Sequence, residues 1–189
     1  IFGYGNYAPG NVSITNLCNN SGVIATDTTG VGTARLYLAA AGYGGDKGIF
    51  GYGISGATQY SLTNKVSNSG VVATDTTGVG TARNQIAAAN YGGDKALYGF
   101  GTTGGGTLIS LTNLVSNQGV VSADVTGVGT ARQSLIGVNY GGDKAVFALG
   151  GGQSTIRNLV SNTGVVASDT TSGGTGSAGS ASAGYSLSA

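Results

Sequence analysis

The side chains that could do chemistry in this chain are seven Asp, eight Lys or Arg, ten Tyr and one Cys, because the sequence has no His and no Glu. Most charges recur at fixed positions: an Asp before each Gly- and Thr-rich connector, an Arg after three connectors, and an Asp-Lys pair in three turns. A charge repeated at regular intervals favours a structural role, in which Asp accepts from connector amides or pairs with Arg. These residues are Asp27, Asp75, Asp124 and Asp169; Arg35, Arg83 and Arg132; and the pairs Asp46–Lys47, Asp94–Lys95 and Asp143–Lys144.

Catalytic and metal sites have few candidates. Without His or Glu, acid and base catalysis falls to Asp and Tyr, and the Asp residues are scattered over the repeats. Asp-Thr-Thr-Gly offers oxygen ligands that suit calcium, but without a second carboxylate nearby a turn stabilised by Asp and Thr is favoured. The sequence therefore predicts no catalytic residue, no metal and no cofactor. Cys18 stands where other copies have Val66, Val115 and Val160, which predicts a buried apolar thiol.

Composition argues against two kinds of partner. Of 189 residues only 8% are charged, the net charge is +1 and no basic block occurs, so we expect no nucleic acid. No apolar run approaches the roughly eighteen residues of a membrane span, so no membrane insertion is expected. Low charge with abundant Gly, Ser, Thr and Asn is typical of an extracellular or virion surface. The length favours a single domain over residues 1–189.

A Tyr-Gly-Gly-Asp-Lys segment organises the chain and occurs three times, at 43–47, 91–95 and 140–144. Glycine reaches positive φ without penalty and Asp tolerates turn geometry, so each copy predicts a β-hairpin tip. An apolar pair ending in an aromatic residue recurs with offsets of 48, 48 and 49. Four repeats follow, approximately 1–48, 49–96, 97–145 and 146–189. The pairs are Ile1-Phe2, Ile49-Phe50, Leu97-Tyr98 and Val146-Phe147.

Each repeat is predicted to form four short strands, for example 35–43, 47–53, 61–68 and 70–75. Four antiparallel strands in about 40–50 residues is the size of one β-propeller blade. The strand with small residues, Ala39–Ala41 in one copy, is expected to be innermost, and Phe2, its equivalents and the paired valines are expected to pack between blades. The chain ends read as two halves of one hairpin, with Tyr185 matching Tyr140, so pairing them would close a ring. A β-solenoid is the competing architecture.

The variable surface is predicted where the repeat changes length. From the aromatic to the Asn of the next anchor the spacing is 14, 14, 15 and 11, which places length variation in loops near 5–12, 53–60, 101–109 and 149–154. Tyr, Asn, Ser and Gly in such loops suit contact with sugar or protein. The candidate partner-contact residues are Asn6, Tyr7, Asn11, Tyr60, Thr102, Thr103 and Gln153.

The order Arg35, small apolar strand (Leu38–Ala41), Asp-Lys turn and aromatic strand (Ile49–Gly53) resembles the kelch repeat. The resemblance covers the whole chain, although the kelch glycine doublet is here Gly-Tyr-Gly or Gly-Phe-Gly and the outer-strand Trp is absent. The style of the repeats is also similar to kelch-like proteins of tailed-phage and environmental sequences. The resemblance implies an all-β, four-bladed propeller and a role on a virion surface or in attachment.

Function is less closely specified than fold. The sequence favours a non-catalytic structural or attachment module on a virion or extracellular surface, such as a phage decoration, tail or fibre-associated protein. Its expected partners are other virion or surface-assembly proteins, with glycans as a further candidate. The alternatives are a lectin-like propeller that binds carbohydrate through the variable loops, and a glycan-active propeller enzyme. Fold-level analogy does not choose between them.

Overall fold

The computed structural model describes residues 1–152 and 154–184. This part of the chain is all-β, as predicted, and consists of strands, isolated bridges and turns with one short 3-10 turn at Gly104–Gly106. Two expectations fall outside it: Gln153 as a contact residue, and Tyr185 as part of a closing hairpin. The strands are β1 (Phe2–Tyr7), β2 (Gly10–Asn16), β3 (Ala39–Tyr43), β4 (Lys47–Gly51), β5 (Ile54–Ser55), β6 (Thr58–Gln59), β7 (Thr63–Val66), β8 (Ala87–Tyr91), β9 (Lys95–Gly99), β10 (Thr112–Val115), β11 (Ile136–Tyr140), β12 (Lys144–Ala148), β13 (Ile156–Val160) and β14 (Thr170–Thr171).

The strands form four antiparallel sheets in chain order. Sheet 1 is β1-β2, sheet 2 is β3-β4-β7, sheet 3 is β8-β9-β10 and sheet 4 is β11-β12-β13-β14; β5 and β6 form a small separate hairpin. The first hairpin of sheet 2 pairs Tyr43 with Lys47. Gly44 and Gly45 lie at its tip with φ of 61° and 82°, which only glycine adopts without a Cβ penalty. The hairpins predicted from Gly-Gly-Asp-Lys are confirmed.

The fourth, outer strand of each repeat is shorter than predicted. The segment after β7 joins sheet 2 through two isolated bridges, Val66 to Val72 and Thr63 to Thr76, rather than through a continuous strand. The first valine of each pair points to solvent, so the expected packing of that valine between blades is wrong. The four first valines are 61% to 67% exposed: Val23, Val71, Val120 and Val165. The second valines Val121 and Val166 do pack against the core.

The core lies between successive sheets. One cluster includes Ile49, Tyr52 and Tyr98 from sheets 2 and 3, and a second includes Leu97, Phe100 and Phe147 from sheets 3 and 4. Close approach depends on small residues, because a Cβ on Gly51 would lie 2.6 Å from the Tyr98 ring. The Tyr98 hydroxyl also donates to the Ile49 carbonyl at 3.2 Å across this boundary. Sheets 1 to 4 therefore stack in sequence order.

Aromatic pairs join each sheet to the next. Tyr4 lies against Phe50 and Tyr52 against Tyr98, both with ring centroids 5.1 Å apart, and Phe100 lies against Phe147 at 5.4 Å. The expectation that the first aromatic packs in the same way is wrong for the described residues. Phe2 is 57% exposed and has no aromatic partner among the described residues, whereas its equivalents Phe50, Tyr98 and Phe147 are buried and each packs against a ring of the preceding sheet.

Candidate partner-contact surface

The connectors form a row along one end of the sheets. Gln85 donates its N–H to the Tyr37 carbonyl at 2.9 Å, Ser134 to Gln85 at 2.9 Å, and Gly179 to Ser134 at 3.2 Å. Because the strands are antiparallel, the loops after β1, β4, β9 and β12 emerge at this same end. Bridges between the connectors and two of these loops confirm the arrangement. We call this end the loop face, and the opposite end, which carries the Gly-Gly-Asp-Lys turns, the turn face.

The β1–β2 hairpin carries the most exposed large apolar side chain of the described residues. Tyr7, the last residue of β1, is 75% exposed. Asn6 donates from Nδ2 to Asn11 Oδ1 at 3.2 Å, and Asn11 donates from Nδ2 to Ser55 Oγ at 3.1 Å. The β1–β2 hairpin is therefore hydrogen-bonded to the loop that follows β4, through Asn11 and Ser55.

The other predicted contact residues differ in accessibility. Tyr60 is half-buried, and its carbonyl accepts from the Arg83 N–H at 3.4 Å. Thr102 is 6% exposed and bridges Asn84 and Leu108, so its side chain lies beneath the surface. Thr103 is half-buried and donates from Oγ1 to the Thr107 carbonyl at 3.3 Å. Gln153 lies outside the described residues.

Sequence reasoning missed Tyr37, which lies on the loop face and is 57% exposed. It occupies the connector position that Gln85, Ser134 and Gly179 hold in the other copies. The residue type changes at every copy, whereas in the first three copies an Arg stands two residues before it and Leu or Ile directly follows it. That change of type within a fixed-length connector is the signal that could have identified the position.

The repeat-borne Asp residues of sheets 2, 3 and 4 each bind the connector that leads into their own sheet, not the connector that follows them in sequence. Asp75 accepts from the Thr33 N–H at 3.0 Å, from Thr33 Oγ1 at 2.6 Å and from Asn64 Nδ2 at 2.8 Å. Burial raises the pKa of Asp75, but the Thr33 and Asn64 donors outweigh it, so the pKa is lowered overall. The same three contacts recur in sheets 3 and 4, where they join Asp124 with Thr81 and Asn113, and Asp169 with Thr130 and Asn158.

Asp27 in sheet 1 accepts fewer hydrogen bonds than its equivalents in the other sheets. It accepts from Asn16 Nδ2 at 2.8 Å, and no described Thr donates to it. Both Asp27 and Asn16 are more exposed than their equivalents Asp75 and Asn64. Sheet 1 therefore lacks, among the described residues, the connector half of the network.

The repeat-borne Arg residues are fully used within the fold. Arg83 is 0% exposed, and its Nε, Nη1 and Nη2 donate to the Phe100 carbonyl, the Thr81 carbonyl and Asn113 Oδ1 at 2.9, 3.0 and 2.7 Å. Its guanidinium carbon lies 4.3 Å from the centroid of the Tyr52 ring. Burial lowers the pKa of Arg83. Arg35 makes the same contacts one sheet earlier, so neither guanidinium is available to a ligand.

Sheet 4 departs from this pattern on its outward side. Ser177 takes the Arg position, since its carbonyl accepts from the Gly150 N–H at 2.9 Å as the Arg132 carbonyl does from Gly101. Leu149 stands at the aromatic position of Phe100, and Ala148 at the glycine position of Gly99. A further sheet stacked on this side would therefore contact the Ala148 Cβ and the Leu149 side chain in place of a glycine and an aromatic ring. Ser177 would offer it no guanidinium.

Charge on the turn face is paired. The Asp and Lys of each turn are in contact, at 2.6 Å for Asp46–Lys47, 2.7 Å for Asp94–Lys95 and 3.0 Å for Asp143–Lys144. The Lys hydrogen bond lowers the pKa of each Asp, and the same bond raises the pKa of each Lys. Exposed pairs of this kind contribute little to stability. Their regular spacing marks them as turn residues.

A cleft of about 700 Å³ lies between sheets 1 and 2. Its walls include Ile1, Leu17, Cys18, Phe50 and Gly70. The prediction of a buried thiol is wrong, because Cys18 faces this cleft and is exposed. Its equivalents Val66, Val115 and Val160 are buried.

Among residues 1–152 and 154–184, no group of three or more His, Cys, Asp or Glu is placed to hold a metal ion. Within the same described ranges, no helix is long and apolar enough to span a membrane. No protein-family model matches the chain, and no curated protein matches it.

Proposed function

We propose that this chain is a non-catalytic structural or attachment module of a virion or extracellular surface, and that its loop face contacts the partner. One observation carries the proposal: the repeated charges are held in turns and connector networks, whereas the exposed loop-face residues are uncharged and differ between copies. Tyr7 and Tyr37 are the largest of these exposed side chains. A surface that varies on a repeated scaffold suits recognition.

The location rests on composition and on the style of the repeats. A chain with 8% charged residues and abundant Gly and polar side chains suits an outer surface. The resemblance to kelch-like proteins of tailed phages supports a virion surface in particular. The partners would then be other virion or surface-assembly proteins.

The architecture we propose is a four-bladed kelch-like propeller whose C-terminal segment closes the ring against sheet 1. The connector row contains three backbone hydrogen bonds between successive connectors. Ring closure would add a fourth, from the Tyr37 N–H to the Gly179 carbonyl. Thr175 matches Thr130 in the repeat and would donate to Asp27. Closure would also give Phe2 a neighbour, at Ala148 and Leu149.

A lectin-like module is the second candidate. Asn6, Tyr7 and Asn11 place two amides and an exposed aromatic ring in one loop, which is a composition that can bind sugar hydroxyls and the apolar face of a sugar ring. A glycan-active enzyme is the third. It needs a convergent acid and base, but Asp75, Asp124 and Asp169 each already accept from a Thr and an Asn.

The attachment role is tested with fluorescently labelled protein on a panel of intact bacterial cells, read by flow cytometry, and on a glycan array. Tyr7→Ala should lower cell binding at least tenfold, while Tyr140→Ala on the turn face should leave it unchanged. Binding to an isolated glycan would favour the lectin candidate. Equal loss with both variants, or no binding to any surface, would contradict a contact role for the loop face. An antibody against the chain should also stain the particle fractions of a density gradient.

A further inference from the structure

The edge of β1 that faces away from β2 has no strand partner among the described residues. The equivalent strands β4, β9 and β12 pair on that edge with β3, β8 and β11. The cleft of about 700 Å³ reaches the start of this edge, since Ile1, which directly precedes β1, lies in its wall. Open strand edges bind further strands through their backbone groups.

The polar groups beside the cleft show which side chains such a strand would carry. In sheet 2, Thr33 donates to Asp75 at 2.6 Å, and Arg35 donates from Nη2 to Asn64 Oδ1 at 2.7 Å. Asp27 and Asn16 hold these two acceptor positions in sheet 1, and no described Thr or Arg donates to either of them. Asn16 directly precedes Leu17 in the cleft wall. The carboxylate of Asp27 adds a negative charge that complements an incoming Arg.

A third recognition point lies on the opposite wall. The ring of Tyr43 packs on Gly119 and that of Tyr91 on Gly164, each so close that a Cβ on the glycine would lie within 2.9 Å of the ring. Gly70 is the equivalent glycine in sheet 2 and lines the cleft. A tyrosine at the end of an incoming strand would therefore pack on Gly70.

We propose that this cleft is a strand-acceptor site for an extended peptide with the pattern Thr-x-Arg-x7-Tyr and small residues before the Tyr. The pattern is the spacing at which connectors and first strands enter the other sheets, as in Thr33, Arg35 and Tyr43. The peptide adds a strand to β1. Its Thr donates to Asp27, its Arg donates to Asn16 Oδ1, and its Tyr packs on Gly70.

The chain's own C-terminal segment fits this pattern only in part. Thr175 stands at the Thr position, but Ser177 stands where the Arg is required. The described part of this segment lies against sheet 4, where Ser182 donates from Oγ to the Gly137 carbonyl at 3.1 Å. A segment that carries the Arg should therefore bind the cleft more tightly than residues 175–189. This inference does not depend on what the loop face contacts, but it does bear on the proposed ring closure, because the peptide and residues 175–189 would compete for the same place against sheet 1.

The test uses a labelled synthetic peptide of residues 81–95, which carries Thr81, Arg83 and Tyr91, and the full chain as receptor. Fluorescence anisotropy should show saturable binding, weakened at least tenfold when the peptide carries Arg83→Ser and likewise when it carries Thr81→Val. These substitutions are in the peptide, so the folding of the chain is not at risk. Hydrogen exchange of the β1 amides should slow when the peptide is bound.

The matched control is a peptide of residues 175–189, which should bind at least tenfold more weakly. Stronger binding of the 81–95 peptide to a Thr175→Val chain would support the proposal, because it would show that the C-terminal segment competes for the same cleft. Absence of binding to both chains at millimolar peptide would overturn it. Equal affinity of the unsubstituted peptide and the Arg83→Ser peptide would also overturn it, since Asn16 and Asp27 would then recognise nothing.

Discussion

Arg83 and Tyr52 join sheets 3 and 2, with the guanidinium carbon 4.3 Å from the centroid of the tyrosine ring. The same guanidinium donates to Asn113 Oδ1, and the Asn113 amide donates to Asp124 at 2.9 Å. One buried charge therefore links an aromatic residue of one sheet to the carboxylate of the next. Arg35 and Tyr4 repeat the stacking at 4.6 Å, so the contact is a property of the repeat.

Replacing Arg83 with Met should destabilise the fold by about 3–5 kcal/mol, because the Phe100 carbonyl, the Thr81 carbonyl and Asn113 Oδ1 would lose their donors in a buried site. Urea unfolding followed by circular dichroism measures this. Arg157 is exposed, so Arg157→Met is the matched control and should cost less than about 0.5 kcal/mol. Similar losses of unfolding free energy for the two variants would show that the buried guanidinium contributes no more to stability than an exposed one, which would contradict this account.

Replacing Gly51 with Ala should cost about 1–3 kcal/mol, because the new Cβ would lie 2.6 Å from the Tyr98 ring and force sheets 2 and 3 apart. Gly104→Ala is the control, since a Cβ there has no neighbour within 4 Å. Thermal unfolding of the two variants provides the comparison. A Gly51→Ala protein as stable as the Gly104→Ala protein would contradict the close packing of these sheets.

Acid should destabilise the chain through the connector Asp residues. The folded-state pKa of Asp75 is lowered, so its contribution is complete above the unfolded pKa of about 3.9 and is lost as the pH falls through the lower folded value. Asp75→Asn should lose stability at pH 7 and show a flatter decline in stability below pH 4. Asp46→Asn, at an exposed turn, should differ little from the parent at pH 7. A parent chain whose stability does not change below pH 4 would refute this account.

Alkaline pH should destabilise the fold through ionisation of the buried Tyr52 hydroxyl. Burial raises its pKa to about 12, so its contribution is complete below the unfolded pKa of about 10 and is lost as the pH rises towards 12. The shift corresponds to a loss on the order of 3 kcal/mol. Tyr52→Phe should remove that part of the pH dependence, at the cost of the hydrogen bond from the Tyr52 hydroxyl to the Val79 carbonyl. Unfolding is measured from pH 9 to pH 12, and the same decline of stability with pH in both proteins would contradict this account.

The sequence predicted what depends on local pattern. Gly44, Gly45 and Asp46 determined the hairpin tip, and regular spacing identified Asp75 and Arg35 as structural residues. Residue type could not show which equivalent positions are covered by a neighbour. Phe2 and Phe50 are the same residue at the same repeat position, yet only Phe50 is packed, because burial depends on the sheet that stacks beside it.

The same reason explains the errors at Cys18 and Val71. Cys18 matches buried valines in sequence but faces the cleft. Val71 directly precedes Val72, which bridges to Val66 at the outer edge, and no described sheet covers Val71. For the candidate surface, loop length identified Tyr7 and Asn11 but also included Thr102, which its own loop buries. Tyr37 was missed because it lies in a connector of constant length.

Disulfide trapping gives the sharpest test of whether the four sheets form a ring closed by the C-terminal segment. In a Cys18→Val background, Ile1→Cys with Ala183→Cys occupies the repeat positions of Ile49 and Ala41, which pair directly in sheet 2. A closed ring predicts an intrachain disulfide at all protein concentrations, like that of the control pair Val138→Cys with Val146→Cys, which face each other in sheet 4. Only interchain disulfides, or none while the control pair oxidises, would contradict the closed ring.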